Sequence, residues 1–546
     1  MEDDPKSVDF RNRKNALFVR AKKLSAALPI FPVFFAAYPI LSIYSANANT
    51  ILISEVYRPM AVAGVLLLAV WSLLWAILRN PHRAAILTTM VFLSIFMYGI
   101  VLDALRRNNV ILAIVGIENY PYIFWTLALA VTGMLFWKAG PAVTKKMTVF
   151  GGLVLVAAAV PIALRHDGPK SSNTGRGNSP FFQAPKVEAK NKPDVYFIVL
   201  DGHGREDSLK KYIQTDTSSF TADLQAMGFR VLPKSNSTYC QTELSISAAL
   251  NGLPLDQLIP AFNPQSTDRF ILRQMIDQSG SAAFLNRMGY SVAAIDSGYY
   301  GVSFKHADVR NTRITGLSNF ETLLAGLTPF HNLSLVRNSE RRAYIQNALR
   351  NLTDITSRSG HPSFVMCHIL CPHPDFVFSA SGEDTKLRVA DELADGNTYF
   401  AVGGTPESYR AGYSGQVKYI DDQIRNALRA IINASHGNVV IFLVGDHGSK
   451  LYMDNDDIHN TDPRECFANL CAIYGPDELK NAYKDDSTLV NLLPIGFNTL
   501  FGTSFPTYPD RSYYSTWELP YVFTDVTNKL NSTAPVPSVP PAYKPK

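Results

Sequence analysis

Cysteine is scarce in this sequence, and its scarcity disfavours two classes of protein. The chain has 5 cysteines in 546 residues, too few for a fold that is held together by disulfides. Four of them form close pairs, Cys367 with Cys371 and Cys466 with Cys471, and neither pair has the CxxC spacing of a zinc ribbon. A cysteine-rich metal site is therefore disfavoured as well. Each pair remains compatible with a local disulfide in an oxidising compartment and with two buried, unpaired thiols.

An excess of charge of one sign is also missing. The formal net charge is +5 at pH 7, small for a chain of this length, and it gives no reason to expect a nucleic-acid partner. The mean hydropathy is close to zero, as in many soluble proteins. That average combines two unlike parts. The chain up to about Leu164 consists of long apolar runs, whereas the remainder has the mixed composition of a globular domain.

The apolar runs predict a transmembrane domain at residues 25–165. A helix needs about 20 mostly apolar residues to cross a bilayer. Five segments approach this length, at about 26–44, 60–78, 84–102, 121–137 and 147–164. We therefore predict about five transmembrane helices.

The distribution of positive charge orients these helices. The N-terminal tail, residues 1–24, carries seven Lys and Arg residues. The loop with Arg79 and Arg83 and the loop with Lys145 and Lys146 lie on the same side of the membrane as the tail. The positive-inside rule assigns that side to the cytoplasm. Five crossings then place everything that follows the fifth helix on the extracytoplasmic side.

Two loops run against this rule. Arg58 falls in one of them, and the pair Arg106 and Arg107 falls in the other. The excess of positive charge on the opposite side is nevertheless larger. We predict a multi-pass protein of the bacterial cytoplasmic (inner) membrane, with its C-terminal domain on the periplasmic side.

Composition divides the rest of the chain into three parts. Residues 166–192 are polar and rich in Gly, Ser, Asn and Pro, as linkers are. Residues 193–530 have the composition of a folded domain. Residues 531–546 form a Pro-rich tail, for which we expect loose packing.

Residues 193–530 alternate strands with helices, which is typical of an α/β domain. Short apolar runs at Asp194–Leu200, Ser291–Ile295, Ser363–Ile369 and 438–444 predict strands that are buried on both faces. Between the last two runs, apolar residues recur at helical spacing, at Val417, Ile420, Ile424, Leu428 and Ile431. We therefore predict a mostly parallel central sheet.

Two of the predicted strands end in residues that bind metals. The first is followed by Asp201-Gly202-His203, and the fourth by Asp446-His447-Gly448. Carboxylates and imidazoles bind divalent ions, and in open α/β sheets the chemistry gathers beyond the carboxyl ends of the strands. One Asp-His-Gly turn is also ordinary turn chemistry, so the prediction depends on having two such strand ends in one sheet.

Thr242 lies at the predicted start of a helix, where a polar stretch gives way to apolar residues. In one interpretation its hydroxyl only caps the helix. In the other, the hydroxyl is a nucleophile whose ionised form is stabilised by a metal and by the helix N-terminus.

Asp201, Thr242 and Asp446-His447-Gly448 together resemble the alkaline phosphatase/sulfatase superfamily in their order and spacing. About five spans followed by such a domain resemble its phosphotransferase branch, the phosphoethanolamine transferases and lipoteichoic acid synthases. The resemblance covers roughly residues 193–525 by motif and the membrane part by topology alone. It implies an N-terminal multi-pass helical domain followed by an alkaline phosphatase/sulfatase-like α/β domain.

The resemblance also implies roles for particular residues. Asp201, Thr242, Asp446 and His447 would hold one divalent metal ion, zinc or manganese, and Thr242 would be the nucleophile. His373 and His459 fall where this branch has histidines that bind substrate or transfer protons. Members of the branch often have Glu where this chain has Asp201, which loosens the likeness to any one subfamily. The C/S-x-P-x-R motif of formylglycine sulfatases is missing around Cys240.

These implications predict a membrane-bound transferase that moves a phosphoryl head group from a phospholipid, through a covalent intermediate on Thr242, to an envelope glycan or glycolipid. The head group would be of the phosphoethanolamine or phosphoglycerol type. A sulfatase-like hydrolase or phosphodiesterase is the enzymatic alternative, with water as the acceptor. An alternative of another class is a non-catalytic sensor or assembly protein on a degenerate fold.

Overall fold

The computed structural model describes residues 29–47, 53–106, 120–137, 140–164, 178–311 apart from 186, 190 and 258–262, 319–329, 334–356, 362–385 and 394–542. The predicted tail at 1–24 and residues 166–177 of the predicted linker lie outside these ranges. The chain forms two compact units. Met1–Lys170 and Leu317–Arg337 make up the first, which we call the helical unit. Ser171–Gly316 and Asn338–Lys546 make up the second, the sheet unit.

The helical unit contains helices where the sequence predicted spans. Within the described residues these are α1 (Phe31–Asn47), α2 (Ser54–Leu78), α3 (Pro81–Arg106), α4 (Tyr120–Trp137) and α5 (Pro141–Leu164). Three of them, over Glu55–Leu78, Pro81–Gly99 and Pro141–Ala163, are long and apolar enough to cross a membrane. Large apolar side chains such as Val65, Leu68 and Ile77 are exposed on their surfaces. Contact of such apolar surfaces with lipid costs little free energy, whereas their contact with water is unfavourable.

A further helix of the helical unit comes from far along the chain. It spans Asn319–Gly326, and we call it the insert helix. The chain on either side of the segment Leu317–Arg337 belongs to the sheet unit. The sequence pattern did not predict that residues from this part of the chain join the helices of the N-terminal part.

The sheet unit is built on seven strands in the order β2-β7-β6-β1-β5-β3-β4. The strands are β1 (Asp194–Leu200), β2 (Arg230–Val231), β3 (Ser291–Ile295), β4 (Val309–Asn311), β5 (Ser363–Ile369), β6 (Val439–Val444) and β7 (Cys471–Tyr474). The pairs β1–β5, β1–β6, β3–β5 and β3–β4 are parallel, and only the pairs made by β7 are antiparallel among these seven described strands. The prediction of a mostly parallel sheet is confirmed. A small second sheet pairs β8 (Tyr513–Tyr514) with β9 (Thr524–Asp525).

Helices surround this sheet. In the described part of the unit they are α6 (Pro180–Gln183), α7 (Glu206–Ser208), α8 (Ser218–Ala226), α9 (Thr242–Asn251), α10 (Phe270–Asp277), α11 (Gly280–Arg287), α12 (Ser334–Leu352, whose residues up to Arg337 belong to the helical unit), α13 (Gly396–Ala401), α14 (Pro406–Ala434), α15 (Pro463–Cys466), α16 (Asp477–Asn481) and α17 (Leu489–Phe501). Successive residues of each strand point to opposite faces, so β1 contributes Val195 and Phe197 to one apolar cluster and Tyr196 and Ile198 to another. Both faces of the sheet are therefore buried.

The longest helix, α14, shows why its sequence folds as it does. Thr405 and Ser408 form a capping box at its start, and Pro406 occupies the first turn, where its missing N–H is not needed. Val417, Ile420, Ile424, Leu428 and Ile431 are all buried, as their spacing predicted. The apolar stripe covers one face of the sheet.

The Pro-rich tail makes a few contacts with the rest of the sheet unit. Arg464 donates hydrogen bonds to the carbonyl oxygens of Ser532 and Pro535, each at 3.1 Å. Val539 packs against the apolar cluster that contains Tyr409 and Leu451. Residues 531–538 are nonetheless all exposed, so loose packing of the tail stays a prediction.

Candidate active site

The carboxyl ends of two neighbouring strands bring three ligand side chains together. Asp201 directly follows β1, and Asp446 and His447 follow β6, which pairs with β1 in parallel. One ligand atom from each of the three residues lies within 4.8 Å of the other two. All three residues are buried. Gly202 has a φ of 71°, a left-handed conformation that glycine adopts without strain, and its N–H donates a 2.9 Å hydrogen bond to Asp446 Oδ1.

The unpaired atoms of this cluster fit a divalent cation. Asp201 Oδ1 and Asp446 Oδ2 are buried, and no residue in the described part of the chain donates a hydrogen bond to either oxygen. Buried carboxylate oxygens without partners are unfavourable, and a cation between them would remove that cost. The donor set of two carboxylates and one imidazole suits zinc or manganese.

His447 is oriented as a metal ligand would be. Its Nδ1 lies 2.9 Å from the carbonyl oxygen of Gly448, so Nδ1 carries the proton and the lone pair is on Nε2. Nε2 then faces Asp446 Oδ2 at 3.4 Å and Asp201 Oδ1 at 3.6 Å. Burial lowers the pKa of His447 despite the neighbouring carboxylates, which favours the neutral imidazole that binds metals.

Thr242 adjoins this cluster. It is the first residue of α9, and its Oγ1 lies 3.3 Å from His447 Nε2. The N-cap position belongs to Gln241, so Thr242 does not have the capping role that the sequence left open. Ser245, one turn later, donates a 2.7 Å hydrogen bond to the carbonyl oxygen of Asp446. That bond fixes the start of α9 against the end of β6.

Asp201 is held by a histidine that the sequence did not single out for a role. His368, at the end of β5, lies with its Nε2 3.1 Å from Asp201 Oδ2, and Ser297 Oγ is 2.7 Å from the other ring nitrogen. Burial raises the pKa of Asp201, but His373, His368 and His447 outweigh it and hold that pKa below its ordinary value. The carboxylate is therefore ionised at neutral pH.

A pocket of about 340 Å³ opens beside these groups. Its lining combines the predicted residues with charged and aromatic side chains, namely Asp201, Thr242, Glu243, Arg269, Tyr299, Tyr300, Leu370, His373, Ala394, Asp395, Thr398, Lys450, Asn455, Asp456, Trp517 and Glu518. Thr242 and His373 thus share one cavity with a cation, Lys450.

Lys450, Asp395 and His373 form a charged network on one wall of the pocket. Lys450 Nζ lies 2.7 Å from Asp395 Oδ2, and His373 Nε2 lies 3.3 Å from the same oxygen. Burial lowers the pKa of Lys450, but Asp395 outweighs it and raises that pKa above its ordinary value. The lysine is therefore charged at neutral pH and can bind an anionic group in the pocket. Sequence reasoning missed Lys450 and Asp395.

Other residues of the pocket lining take part in paired charges. Glu243, next to Thr242, accepts from Arg269 Nη1 at 3.3 Å and from Arg273 Nε at 2.8 Å. Arg269 also lies over the ring of Trp517, 4.0 Å from its centre. Because Glu243 is almost fully buried, these contacts fix the residue that follows the candidate nucleophile.

Two further histidines of the described residues, His459 and His203, do not join these groups. His459 is exposed in a short 3-10 turn, Ile458–Asn460, and it is not among the residues that line the pocket. His203 is buried, and its Nε2 is 2.8 Å from Asp421 Oδ1, away from the carboxylate pair. The structure therefore groups Asp201, Thr242, His373, Asp446 and His447 but leaves His459 apart from them.

The fold and this cluster define a class of protein: an α/β domain with a buried carboxylate and imidazole site beyond parallel strands, next to a hydroxyl at a helix N-terminus. The family model described as Sulfatase matches residues 193–495, which is more than half of the chain. The chain belongs to the sulfatase family. The predicted superfamily is confirmed, and with it an enzyme fold of this superfamily.

Solved structures similar to this chain include transferases and a hydrolase. The C-terminal periplasmic domain of EcEptC from Escherichia coli, in complex with Zn, is 14% identical over 62% of this chain and 96% of its own length, with a TM-score of 0.36. The integral membrane protein lipooligosaccharide phosphoethanolamine transferase A from Neisseria meningitidis is 13% identical over 85% and 94%, with a TM-score of 0.35. The phosphonate monoester hydrolase of Agrobacterium radiobacter is 15% identical over 59% and 80%, also at 0.35. No curated protein sequence matches the chain.

Proposed function

We propose that this protein is a membrane-bound, metal-dependent transferase that moves a phosphoryl head group from a phospholipid, through a covalent intermediate on Thr242, to an envelope glycan or glycolipid. One observation carries the proposal. Thr242 Oγ1 lies 3.3 Å from His447 Nε2, beside two buried carboxylate oxygens that receive no hydrogen bond from the described residues. A hydroxyl in that position adjoins the cation that the carboxylates need.

Different residues bind the metal ion and the phosphoryl group. Asp201, Asp446 and His447 would hold one divalent ion, and Thr242 would complete the set. When bound, that ion favours the ionised form of the hydroxyl and offsets negative charge on the phosphoryl oxygens. The α9 N-terminus adds a favourable dipole at the same atom. Lys450, a cation on the wall of the same pocket, attracts the phosphoryl group into it.

The first displacement forms a bond from Thr242 Oγ1 to phosphorus and breaks the bond from phosphorus to the diacylglycerol oxygen. The hydroxyl proton of Thr242 is lost to solvent when the group ionises. His373 donates the proton on its Nε2 to the departing diacylglycerol oxygen. The ring is oriented by the carbonyl oxygen of Pro374, which contacts Nδ1, and by Asp395, whose Oδ2 lies 3.3 Å from Nε2. The head group remains esterified to Thr242.

The second displacement returns the enzyme to its starting state. His373, now without its proton, accepts one from an acceptor hydroxyl, which attacks the same phosphorus. The bond from phosphorus to Thr242 Oγ1 breaks, Oγ1 takes back a proton from solvent, and the head group is transferred to the acceptor oxygen. Water in place of the glycan would make the protein a phosphodiesterase by the same steps. The membrane helices favour the transferase, because its donor is a lipid that must be met at the bilayer surface.

The covalent step can be tested by intact mass. The purified, metal-loaded full-length protein is incubated with vesicles of bacterial phospholipids and then analysed as wild type, Thr242→Ala and Thr242→Ser. We expect a head-group phosphate adduct on the wild type and on Thr242→Ser, which keeps a hydroxyl, and none on Thr242→Ala. The added mass identifies the head group.

Two results would contradict the proposal. An adduct that persists in Thr242→Ala would place the nucleophile elsewhere. Intact lipids and no adduct on a wild type that holds its metal would exclude this donor class. Release of free head-group phosphate by wild type would instead establish the hydrolase.

A further inference from the structure

The insert helix joins the membrane helices through a buried aromatic contact. Phe320 is fully buried and meets the ring of Tyr44 edge to face, with the ring centres 6.4 Å apart. Leu324 is buried in the same apolar cluster, together with Ile40 of α1 and Val56 of α2. The insert helix therefore packs against helices that lie far earlier in the sequence.

An ion pair forms the second contact. The guanidinium of Arg58 donates through Nε and Nη2 to the two carboxylate oxygens of Glu321, a two-pronged geometry. The side chain of Glu321 is only 10% exposed. Paired, bidentate geometry of this kind is the strong form of the interaction, and removal of Arg58 would leave the Glu321 carboxylate in a poorly solvated place.

A close backbone approach forms the third contact. The N–H of Gly99, in α3, donates a 2.8 Å hydrogen bond to the carbonyl oxygen of Leu327, directly after the insert helix. A Cβ atom at position 99 would lie 2.6 Å from the Cα of Leu327. Only glycine therefore permits this approach.

The three contacts lie toward those ends of the helices that emerge on one side of the membrane. Tyr44 is near the last turn of α1, Arg58 is in the second turn of α2, and Gly99 ends the apolar span of α3. Helices that cross a bilayer in succession run in alternate directions. The end of α1, the start of α2 and the end of α3 therefore emerge on the same side. By the distribution of positive charge, this is the extracytoplasmic side.

We propose that the insert helix is an in-plane membrane anchor that lies at the extracytoplasmic surface of the bilayer on the ends of α1, α2 and α3. The exposed surface of this helix contacts the interfacial layer of the lipids. Leu323 of this helix is 48% exposed and Tyr57, beside Arg58, is 65% exposed, so an apolar and an aromatic side chain are available to that layer. The pairing with Glu321 also accounts for Arg58 on the side that the positive-inside rule disfavours.

The catalytic consequence rests on the proposed function. The chain passes between the two units at about residues 170, 316 and 337, so the sheet unit is attached to the helical unit by three connections and not by one linker. A tether of this kind raises the effective concentration of a membrane-borne donor at the active site. We expect the anchor to matter for lipid substrates and not for soluble ones.

The position of the helix is tested by fluorescence quenching. Leu323→Cys is labelled with an environment-sensitive fluorophore in the full-length protein, in vesicles that contain phosphatidylcholine brominated near the head group. The five native cysteines are buried and do not compete for the label. Thr524→Cys, on an exposed strand of the sheet unit, is the matched control. We expect quenching at position 323 and none at position 524; equal quenching at the two positions, or none at 323, would overturn the proposal.

The consequence is tested by Gly99→Ala, with Gly64→Ala as its control, since a Cβ at position 64 meets no atom within 4 Å. We expect Gly99→Ala to lower the rate of adduct formation from vesicle phospholipids about tenfold, because an overpacked backbone contact must separate. Turnover of a soluble phosphodiester, bis(4-nitrophenyl) phosphate, should stay within about twofold. Arg58→Glu and Glu321→Arg should each act like Gly99→Ala, and the double exchange should restore the lipid rate.

The outcomes separate this inference from the proposed function. If Gly99→Ala keeps the wild-type lipid rate, or if it loses both activities equally, the tethering role is wrong even though the transferase stands. If wild type forms no adduct with any phospholipid, the transferase fails. The quenching experiment then still decides where the insert helix lies.

Discussion

At the scale of the residue, Asp395 is the group on which the pocket's charge depends. One of its oxygens contacts both Lys450 and His373, and the side chain is mostly buried. Burial raises the pKa of Asp395, but Lys450 and His373 outweigh it and hold that pKa below its ordinary value. Since the two partners line the pocket beside Thr242, removal of this carboxylate changes the electrostatics of the site without touching a predicted metal ligand.

We expect Asp395→Asn to shift the alkaline limb of the pH–rate profile to lower pH, because Lys450 would keep the burial that lowers its pKa and lose the carboxylate that raises it. The rate at neutral pH should also fall, by about a hundredfold, since His373 loses the contact that orients it. Turnover of bis(4-nitrophenyl) phosphate between pH 6 and pH 11, covering the limb, measures both effects.

Asp462→Asn is the matched control, because Asp462 is also buried and ion-paired, with Arg464, but does not line the pocket. It should lose stability and keep the position of the alkaline limb. An unshifted limb in Asp395→Asn would show that Lys450 does not have to be charged for turnover.

The local sequence was sufficient to predict the site residues that follow strands. It was not sufficient to predict the site residues that lie in loops. Asp201, Asp446 and His447 were predictable because each follows an apolar run, and parallel strands bring such ends together. Lys450 stands three residues beyond His447 and Asp395 follows no strand, so neither has a positional signal. They meet only through the path of the folded backbone. The polar residues around His459, Asp457 and Asn460, were by contrast compatible with the exposure that the structure shows.

At the scale of the element, the loop that follows β6 is shaped by a buried acid on α15. Glu465 accepts from Ser449 Oγ at 2.7 Å, from the N–H of Leu451 at 3.0 Å and from the N–H of Tyr452 at 2.7 Å. The loop between these donors carries Lys450 into the pocket. Burial raises the pKa of Glu465 from 4.5 to about 7 despite these hydrogen bonds.

A pKa that is raised in the folded state makes stability fall as pH rises. Between pH 4.5 and about pH 7 the folded protein binds more protons at Glu465 than the unfolded chain does. The contribution of Glu465 to the free energy of unfolding is full below this pH window and is lost as the pH rises through it. Its size is on the order of 3 kcal/mol. We expect thermal stability of the wild type relative to Glu465→Gln to decline over this window. A difference that stays constant with pH would show that Glu465 is ionised throughout.

Elements with a local signature were predictable, and those defined by distant partners were not. The main strands and α14 follow from apolar runs and helical spacing. The short strands β2, β4 and β7 have two to four residues each, too few to show a pattern. The insert helix has an ordinary amphipathic sequence. What makes it part of the helical unit is Tyr44, Arg58 and Gly99, which no local pattern connects to it.

At the scale of the whole molecule, the chain folds without disulfides. All five cysteines are free and buried, which settles the alternative that the two close pairs left open. Burial raises the pKa of every one of these thiols, so the reactive thiolate is disfavoured. We expect native protein to gain no mass from N-ethylmaleimide and unfolded protein to gain five adducts, with no reductant needed. Fewer than five adducts on unfolded protein would reveal a disulfide.

The pairing of Arg58 with Glu321 also sets an order of events during synthesis. The two residues are 263 positions apart. At about 5–20 residues per second, Arg58 is made roughly 13 to 50 seconds before Glu321 exists. Throughout that interval α1, α2 and α3 are at the membrane without the helix that completes them. A nascent chain that stops before the insert helix therefore leaves an unfinished membrane unit, however complete its spans are, and the N-terminal part cannot mature ahead of the C-terminal one.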